Sequence, residues 1–310
     1  MHSIGGFLMA LADSVPGVSG GSIAFILGFY DEFISSLDAL VTGSKDEKKN
    51  AIKFLIKLGI GWVIGMLLAI LILTQVFESH IYAISSLFLG FIVFSIPIII
   101  RDEKDTVKNK YYNIVFTVLG VALVVMLTMF NGGSTSGATS TGVGGYAYLF
   151  LSGMLAISAM ILPGISGSTI LLIMGVYMTV LDSVKEVMHF EFTEDPSCLI
   201  TCFVFGMGVI IGILLFIKLV KLALAKARPA MMYFIIGLML GSLYAIVQGP
   251  TTLDEPLQAM TFWGSFSLPT LSTGTFSVLF FLLGGAIIIG LQVLKAVIEK
   301  SNSKAKEKSE

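Results

Sequence analysis

The same helix-breaking motif interrupts apolar sequence at two places in the chain. The first copy reads ADSVPGVSGGS over residues 12–22, and the second reads AMILPGISGST over residues 159–169. Proline removes a backbone donor and ends a helix, and glycine permits the turn that follows. Backbone that leaves a helix inside lipid is stable only where it faces protein or a water-filled cavity. The chain must therefore fold so that both breaks face its interior.

Composition places the chain in a membrane. Hydrophobic residues make up 55% of its 310 residues, charged residues make up 13%, and the mean hydropathy is +0.93. An apolar run of about 18 residues or more is long enough to cross a bilayer as a helix. We predict six spanning helices, at 52–76, 81–100, 111–130, 199–217, 229–248 and 276–294. The predicted fold class is an all-α polytopic membrane protein.

The sequence also repeats itself at a constant offset. A shift of 147 residues, the separation of Pro16 from Pro163, superimposes glycine, serine and tyrosine positions from the breaks to the second spanning helix of each half. Such a register predicts a tandem duplication. We expect an N-terminal repeat over 1–147, a C-terminal repeat over 148–298 and a charged cytoplasmic tail over 299–310.

Basic residues predict the orientation in the membrane. All 19 lysines and arginines except Lys185 lie in four clusters, at 45–57, 101–110, 218–228 and 295–308. Loops rich in lysine and arginine stay in the cytoplasm. The positive-inside rule therefore places these four clusters, and with them the N- and C-termini, on the cytoplasmic side.

This orientation constrains the two broken segments. Residues 148–184 begin and end in external loops, so they cross the membrane an even number of times. A broken re-entrant helical hairpin over 148–184, and another over 4–40 entering from the cytoplasm, satisfy this condition. Each half would then hold one such hairpin plus three spanning helices, and the halves would be inverted-topology repeats, as in many secondary transporters. Two short, strongly tilted spans per segment satisfy the same condition.

After each break a new helix begins with small and hydroxyl residues. The free N–H groups of a helix start, together with hydroxyl donors and a close backbone approach, form an anion site. The break residues are Pro16, Gly17, Pro163 and Gly164. The predicted binding residues are Ser19, Gly20, Gly21, Ser22, Ser166, Gly167, Ser168 and Thr169. The alternative is that the breaks only let helices pack closely, as Gly-x-x-x-Gly motifs do.

Asp13 is the ionisable residue near the first break, and Met160 holds the corresponding position in the second. An acid at membrane depth is a functional hypothesis by default. Beside a bound anion it must be protonated to avoid repulsion, which suggests proton coupling and adds Asp13 to the binding set. The alternative is a helix cap or a hydrogen-bonded turn residue. Tyr30 and Tyr177 either touch a head group or anchor the interface.

The sequence does not indicate a metal site or a cofactor site. Two cysteines, Cys198 and Cys202, with one distant histidine do not complete a zinc shell. We therefore predict no metal site and no cofactor. No nucleotide motif or nucleic-acid patch is visible, and the sequence leaves the oligomeric state open.

Both breaks carry a family resemblance. ADSVPGVSGGS with LGFYDEFISSL, and LPGISGSTILLIMGVY in the second half, resemble the two signatures of the polyprenyl-phosphate transporter (PopT) family, formerly a bacterial and archaeal membrane family of unknown function. The resemblance implies a flippase in the plasma membrane of a prokaryote. Its implied substrate is undecaprenyl phosphate or a related lipid, moved from the outer to the inner leaflet so that the carrier lipid of cell-wall assembly is reused.

Two other functions remain open at this point. A channel or exchanger for small anions would use the same helix ends without a lipid. A membrane polyprenyl-pyrophosphate phosphatase resembles the chain in plan, but there an arginine follows the motif serine, where Gly20 and Gly167 stand here. Because neither hairpin holds a histidine for acid-base work, we expect that the chain is not an enzyme.

Overall fold

The computed structural model describes residues 2–13, 19–130, 142–188, 197–248, 260–262, 266–267 and 272–307. Almost all of this is helical. The twelve helices in chain order are α1 (His2–Asp13), α2 (Gly20–Ile26), α3 (Tyr30–Thr42), α4 (Lys45–Asp102), α5 (Lys104–Val107), α6 (Ile114–Phe130), α7 (Val143–Ile161), α8 (Gly167–Ile173), α9 (Tyr177–Met188), α10 (Ser197–Lys226), α11 (Arg228–Gln248) and α12 (Val278–Glu307). A 3-10 turn at Tyr111–Asn113 leads into α6.

Helix α4 joins two predicted spans. The predicted helices 52–76 and 81–100 form one run from Lys45 to Asp102, with a kink where His80 leaves helical geometry at φ −134° and ψ 25°. The run begins with a capping box, in which Ser44 and Glu47 satisfy each other's backbone N–H groups. The sequence predicts a loop here, but the chain turns at a single residue.

The described residues contain six helices long and apolar enough to cross a membrane, which confirms the all-α polytopic class. They are Lys45–Leu68, Tyr82–Asp102, Tyr111–Met129, Val143–Ile161, Ser197–Lys226 and Arg228–Gln248. Five of these correspond to predicted spans; Val143–Ile161 is new, and the predicted span 276–294 is absent from the set. Val143–Ile161, expected as a re-entrant arm, has 19 residues and hence a length of about 28 Å. The last predicted span yields the shorter apolar stretch Val278–Val293.

Helices α8 and α9 form a sharply bent pair. Residues Gly167–Ile173 and Tyr177–Val184 meet at 115°. The bend is made by Gly175, whose φ of +65° lies in the left-handed region, and Gly28 holds φ +75° at the same place between α2 and α3.

Close helix contacts recur 147 residues apart. A Cβ added at Gly61 would lie 1.8 Å from the carbonyl oxygen of Ser3, and one added at Gly208 would lie 2.2 Å from that of Phe150. These glycines bring α4 onto α1 and α10 onto α7. Two further close contacts involve Gly90 and Gly237, which are also 147 residues apart; Gly90 meets Phe281, and Gly237 meets Thr117. The third helix of each half thus packs on the second helix of the other half.

Helix α11 lies at the centre of the core. Its residues Met232, Ile235, Leu238 and Met239 are fully buried. The second break packs directly on it, because a Cβ at Gly164 would lie 2.7 Å from the carbonyl group of Leu238. The core therefore holds this break in place.

Two features near the C-terminal end were not predicted. A small antiparallel sheet precedes α12, with strands β1 (Phe266–Ser267), β2 (Ser272–Thr273) and β3 (Phe276–Ser277) in that order. Helix α12 then continues to Glu307, so most of the predicted tail 299–310 is helical. Its alanine, lysine and glutamate residues are good helix formers.

Candidate functional site

The first break lies between α1, which ends at Asp13, and α2, which begins at Gly20. Pro16 and Gly17 fall outside the described residues. Ser19 is the N-cap of α2: its backbone is extended, with φ −122° and ψ 135°, and its hydroxyl oxygen accepts the N–H of Gly21 at 3.1 Å. The predicted helix start after the break is therefore present, and Ser19 caps it.

Asp13 completes the cap of the same helix. One carboxylate oxygen accepts the Gly20 N–H at 2.7 Å, and the other accepts the indole N–H of Trp62 at 3.1 Å. A Cβ at position 20 would lie 2.6 Å from the carboxylate, so only glycine permits this approach. The geometry is that of the cap alternative for Asp13. Trp62 is a site residue that sequence reasoning missed, although a tryptophan beside Gly61 in an apolar run could have drawn attention to it.

The second break differs in its capping. Helix α7 ends at Ile161, and Gly164 adopts φ +91°, which favours glycine. Ser166 is the N-cap of α8 but makes no side-chain cap bond; its hydroxyl lies 2.7 Å from that of Ser168. Thr169 is partly buried in the first turn. Met160 stands where Asp13 stands in the first half, so no carboxylate side chain caps this helix among the described residues.

The two breaks meet inside the protein. The Ser19 hydroxyl donates to the carbonyl of Leu162 at 3.3 Å, and the Ser22 hydroxyl accepts the N–H of Gly164 at 2.8 Å. The Tyr30 hydroxyl donates to the carbonyl of Ile161 at 3.1 Å. Ser19 is 0% exposed, and Ser22 and Tyr30 are 2% exposed. The structure thus brings the two predicted motifs together, and the first-copy hydroxyls bond to the backbone of the second copy.

A cavity of about 350 Å³ adjoins this junction. It is lined by Met9, Asp13, Gly21, Phe33, Leu55, Leu58, Gly59, Trp62, Val63, Ile157, Met160 and Ile161. Among the described residues the lining is almost entirely apolar and holds no lysine or arginine. In this described lining, only Asp13 and the Trp62 N–H, which bond to each other, bring polar side-chain atoms to the cavity. Such a space suits a hydrocarbon better than a hydrated ion.

Ion pairs join the two halves at one end of the bundle. Arg228, the first residue of α11, bonds to Glu103 and lies 2.8 Å from a carboxylate oxygen of Asp31. Lys221, near the end of α10, pairs with Asp38 of α3. Burial pulls the pKa of Glu103 upward, but the hydrogen bonds from Arg228 and Thr106 hold that pKa below its ordinary value. Glu103, Lys221 and Arg228 lie in the basic clusters that were predicted to be cytoplasmic. Asp31 and Asp38 lie on α3.

Together the fold and the paired breaks define a multi-pass membrane protein of the transporter kind. The undecaprenyl phosphate translocase-like family matches residues 9–262 of the chain. A polyprenyl-phosphate transporter of Staphylococcus aureus (strain NCTC 8325 / PS 47) is 35% identical over 257 residues, which cover 80% of this chain and 86% of the relative. A polyprenyl-phosphate transporter of Vibrio cholerae serotype O1 (strain ATCC 39315 / El Tor Inaba N16961) is 31% identical over 259 residues, 80% of this chain and 78% of the relative.

The chain belongs to the undecaprenyl phosphate translocase-like family, as the motif resemblance predicted. Both relatives are named as transporters, which agrees with the expectation that this chain is not an enzyme. No solved structure gives a significant match.

Proposed function

We propose that this protein carries undecaprenyl phosphate or a related polyprenyl phosphate across the bacterial plasma membrane, from the outer to the inner leaflet. The observation that carries the proposal is the junction of the two breaks. The helix start after the first break, which is rich in hydroxyl and glycine residues, meets the turn of the second break at residues 161–164, beside a cavity that suits a lipid chain. The names of the relatives support the same substrate class.

The phosphate would bind at the junction by replacing the bonds between the two breaks. Ser19 now donates to a backbone carbonyl, and Ser22 accepts a backbone N–H. Phosphate oxygens accept bonds from hydroxyl and N–H groups alike, so they can take over the Ser19 donor and the Gly164 N–H. Ser166, Ser168, Thr169 and the N–H groups of the first turn of α8 complete the shell. In this mechanism the hydrogen bonds between the two breaks correspond to a closed junction.

We further propose that the halves are inverted repeats that rock about this junction. The corresponding helices α4 and α10 support the inversion, because Lys221 near the end of α10 pairs with Asp38, seven residues before α4 begins. Likewise Arg228 at the start of α11 pairs with Glu103, directly after the end of α4. The first contact places the end of α10 beside α3, shortly before α4 begins, and the second places the start of α11 beside the end of the span Tyr82–Asp102, its counterpart. Both contacts support counterparts that run in opposite directions. The ion pairs would close the cytoplasmic end and open as lipid leaves.

Proton coupling through Asp13 is part of the proposal. Protonation would leave Asp13 one oxygen fewer to accept hydrogen bonds, and would weaken its hold on Gly20 or on Trp62. Because Gly20 opens the helix that contacts the second break, the protonation state of Asp13 would bias the junction towards its open or closed arrangement.

The proposal is tested by transfer of a labelled polyprenyl phosphate in proteoliposomes, with and without a pH gradient. The test variant is the repeat-related pair Ser19→Ala/Ser166→Ala. Its control is the repeat-related pair Ser95→Ala/Ser242→Ala, two buried serines whose hydroxyls bond within their own helices. We expect transfer to collapse in the first variant and to persist in the second.

Two results would contradict the proposal. Equal loss in both variants would mean that serine removal acts through stability. Absence of transfer above empty vesicles, with folded protein and with transport of inorganic phosphate instead, would favour the small-anion carrier. The apolar lining of the cavity beside the junction argues for the lipid.

A further inference from the structure

One glycine of α4 has no packing role. A Cβ added at Gly59 would meet no heavy atom within 4 Å. Two glycines further along the same helix behave differently: a Cβ at Gly61 would lie 1.8 Å from the Ser3 carbonyl oxygen, and one at Gly65 would lie 2.6 Å from that of Phe7. Glycine weakens a helix interior relative to alanine, so it needs a reason to be there. Close packing supplies that reason for Gly61 and Gly65 but not for Gly59.

The position of Gly59 on the helix supplies a different reason. Leu55, Gly59 and Trp62 follow at intervals of four and three residues, which places them on one face of α4. All three line the 350 Å³ cavity. The missing side chain of Gly59 therefore widens this cavity between a leucine and a tryptophan.

The cavity has the chemistry and the position of a hydrocarbon site next to the junction. Its volume is far above the roughly 10–15 Å³ that one water needs, and its lining is apolar. It reaches Gly21 in the first turn of α2, so it touches the place where the phosphate would bind. Val63 also lines the cavity and is 51% exposed. The cavity thus connects the junction with the surface that faces lipid.

We propose that this cavity binds the part of the polyprenyl chain nearest to the phosphate, and that Gly59 determines whether the methyl-branched chain fits. The inference rests on the proposed function and deepens it. The isoprene units that follow the phosphate are wider than a straight acyl chain because of their methyl branches. Space at Gly59, between Leu55 and Trp62, would admit that width.

Gly206 offers a matched control. It lies 147 residues after Gly59, in the corresponding helix α10, and a Cβ there would also meet nothing within 4 Å. Gly206 does not line this cavity. Gly59→Leu and Gly206→Leu thus make the same change at equivalent helix positions, but only the first fills the cavity.

The first measurement is the transfer rate of labelled undecaprenyl phosphate in proteoliposomes. We expect Gly59→Leu to slow transfer by about tenfold or more, the scale on which an apolar pocket senses an added methylene, and Gly206→Leu to stay near the wild-type rate. Gly59→Ala, which adds one carbon in open space, gives a milder step if the leucine variant does not fold. If the wild-type protein transfers the lipid and every Gly59 variant transfers it at the same rate, this inference is overturned and the proposed function still stands. No transfer by the wild type would overturn both.

The second measurement locates the chain directly in the wild-type protein. A polyprenyl phosphate with a photoreactive diazirine on its first isoprene unit should label the segment 55–63, and unlabelled polyprenyl phosphate should compete. A phospholipid with a diazirine near its glycerol serves as the comparison. Equal labelling by the phospholipid, without competition, would show that ordinary bilayer lipid fills the cavity and would refute the assignment.

Discussion

The pair formed by Asp13 and Trp62 yields the sharpest prediction. Asp13 accepts two hydrogen bonds, from Gly20 at 2.7 Å and from the Trp62 indole at 3.1 Å. Asparagine at position 13 has one oxygen and one NH₂ group, so in either orientation its NH₂ faces an N–H donor. Hydrogen bonds to a charged group are worth about 1.5–3 kcal/mol each, so Asp13→Asn should cost about that amount of unfolding free energy. Asp13→Ala loses both bonds and should cost more.

Trp62→Phe removes the donor that conflicts with asparagine. In the double variant Asp13→Asn/Trp62→Phe the amide oxygen can accept from Gly20 while the NH₂ group points at a phenyl ring. The double variant should therefore cost less than the sum of the two single variants, by about 0.5–3 kcal/mol, the range found for residues in contact. The assay is thermal unfolding of the four proteins in detergent, read as a double-mutant cycle.

Three outcomes of these measurements bear on the role of Asp13. Additivity within about 0.3–0.5 kcal/mol would refute the contact between Asp13 and Trp62. If the double variant recovers stability and still transports with the wild-type response to a pH gradient, Asp13 is a cap and not the coupling group. Recovered stability with a lost gradient response would support proton coupling.

Three further predictions test the packing of the bundle. Gly61→Ala should destabilise the protein by about 1–3 kcal/mol, because its Cβ would lie 1.8 Å from the backbone of Ser3; a thermal midpoint equal to that of wild type would contradict this. Gly164→Ala should lower the free energy of unfolding by about 1–2 kcal/mol because of its φ of +91° alone. Unchanged stability would mean that the backbone at the second break adopts another conformation. The pKa of Glu103 lies below its ordinary value of about 4.3, so its bond to Arg228 stabilises the protein above that pH and is lost as pH falls through the folded pKa. Glu103→Gln should flatten the dependence of the unfolding free energy on pH in this range. An unchanged dependence would mean that other groups cause it.

Apolar runs in the sequence predicted the all-α polytopic class and most of the long helices. The apolar runs located the long helices because lipid requires every backbone group to bond within its own segment. The contact of Gly208 with Phe150 matches that of Gly61 with Ser3 at the offset of 147 residues. Apolar content could not distinguish a loop from a kink at His80, because the amino-acid composition is the same in both cases. The short sheet before α12 has strands of two residues, too few to form a pattern.

The candidate site was predicted in part. Spacing identified the motif serines, but it could not show that Ser19 and Ser22 would bond to the backbone of the second break. A hydroxyl serves a ligand and a carbonyl equally well, and only tertiary structure decides which is near. Trp62 was missed for the same reason. Its indole is ordinary in an apolar helix until Asp13 lies 3.1 Å away.

The two copies of the motif differ in how the helix that follows each break is capped. In the first, Asp13 and Ser19 occupy the N–H groups of Gly20 and Gly21, so the chain itself supplies the negative charge that a helix start favours. In the second, Met160 replaces the acid, and Ser166 makes no side-chain cap bond. In the proposed mechanism a phosphate would bring the charge that the second helix start lacks, whereas at the first it would have to compete with Asp13. We therefore expect the phosphate to engage the second copy first, and the first copy, through Asp13, to respond to it.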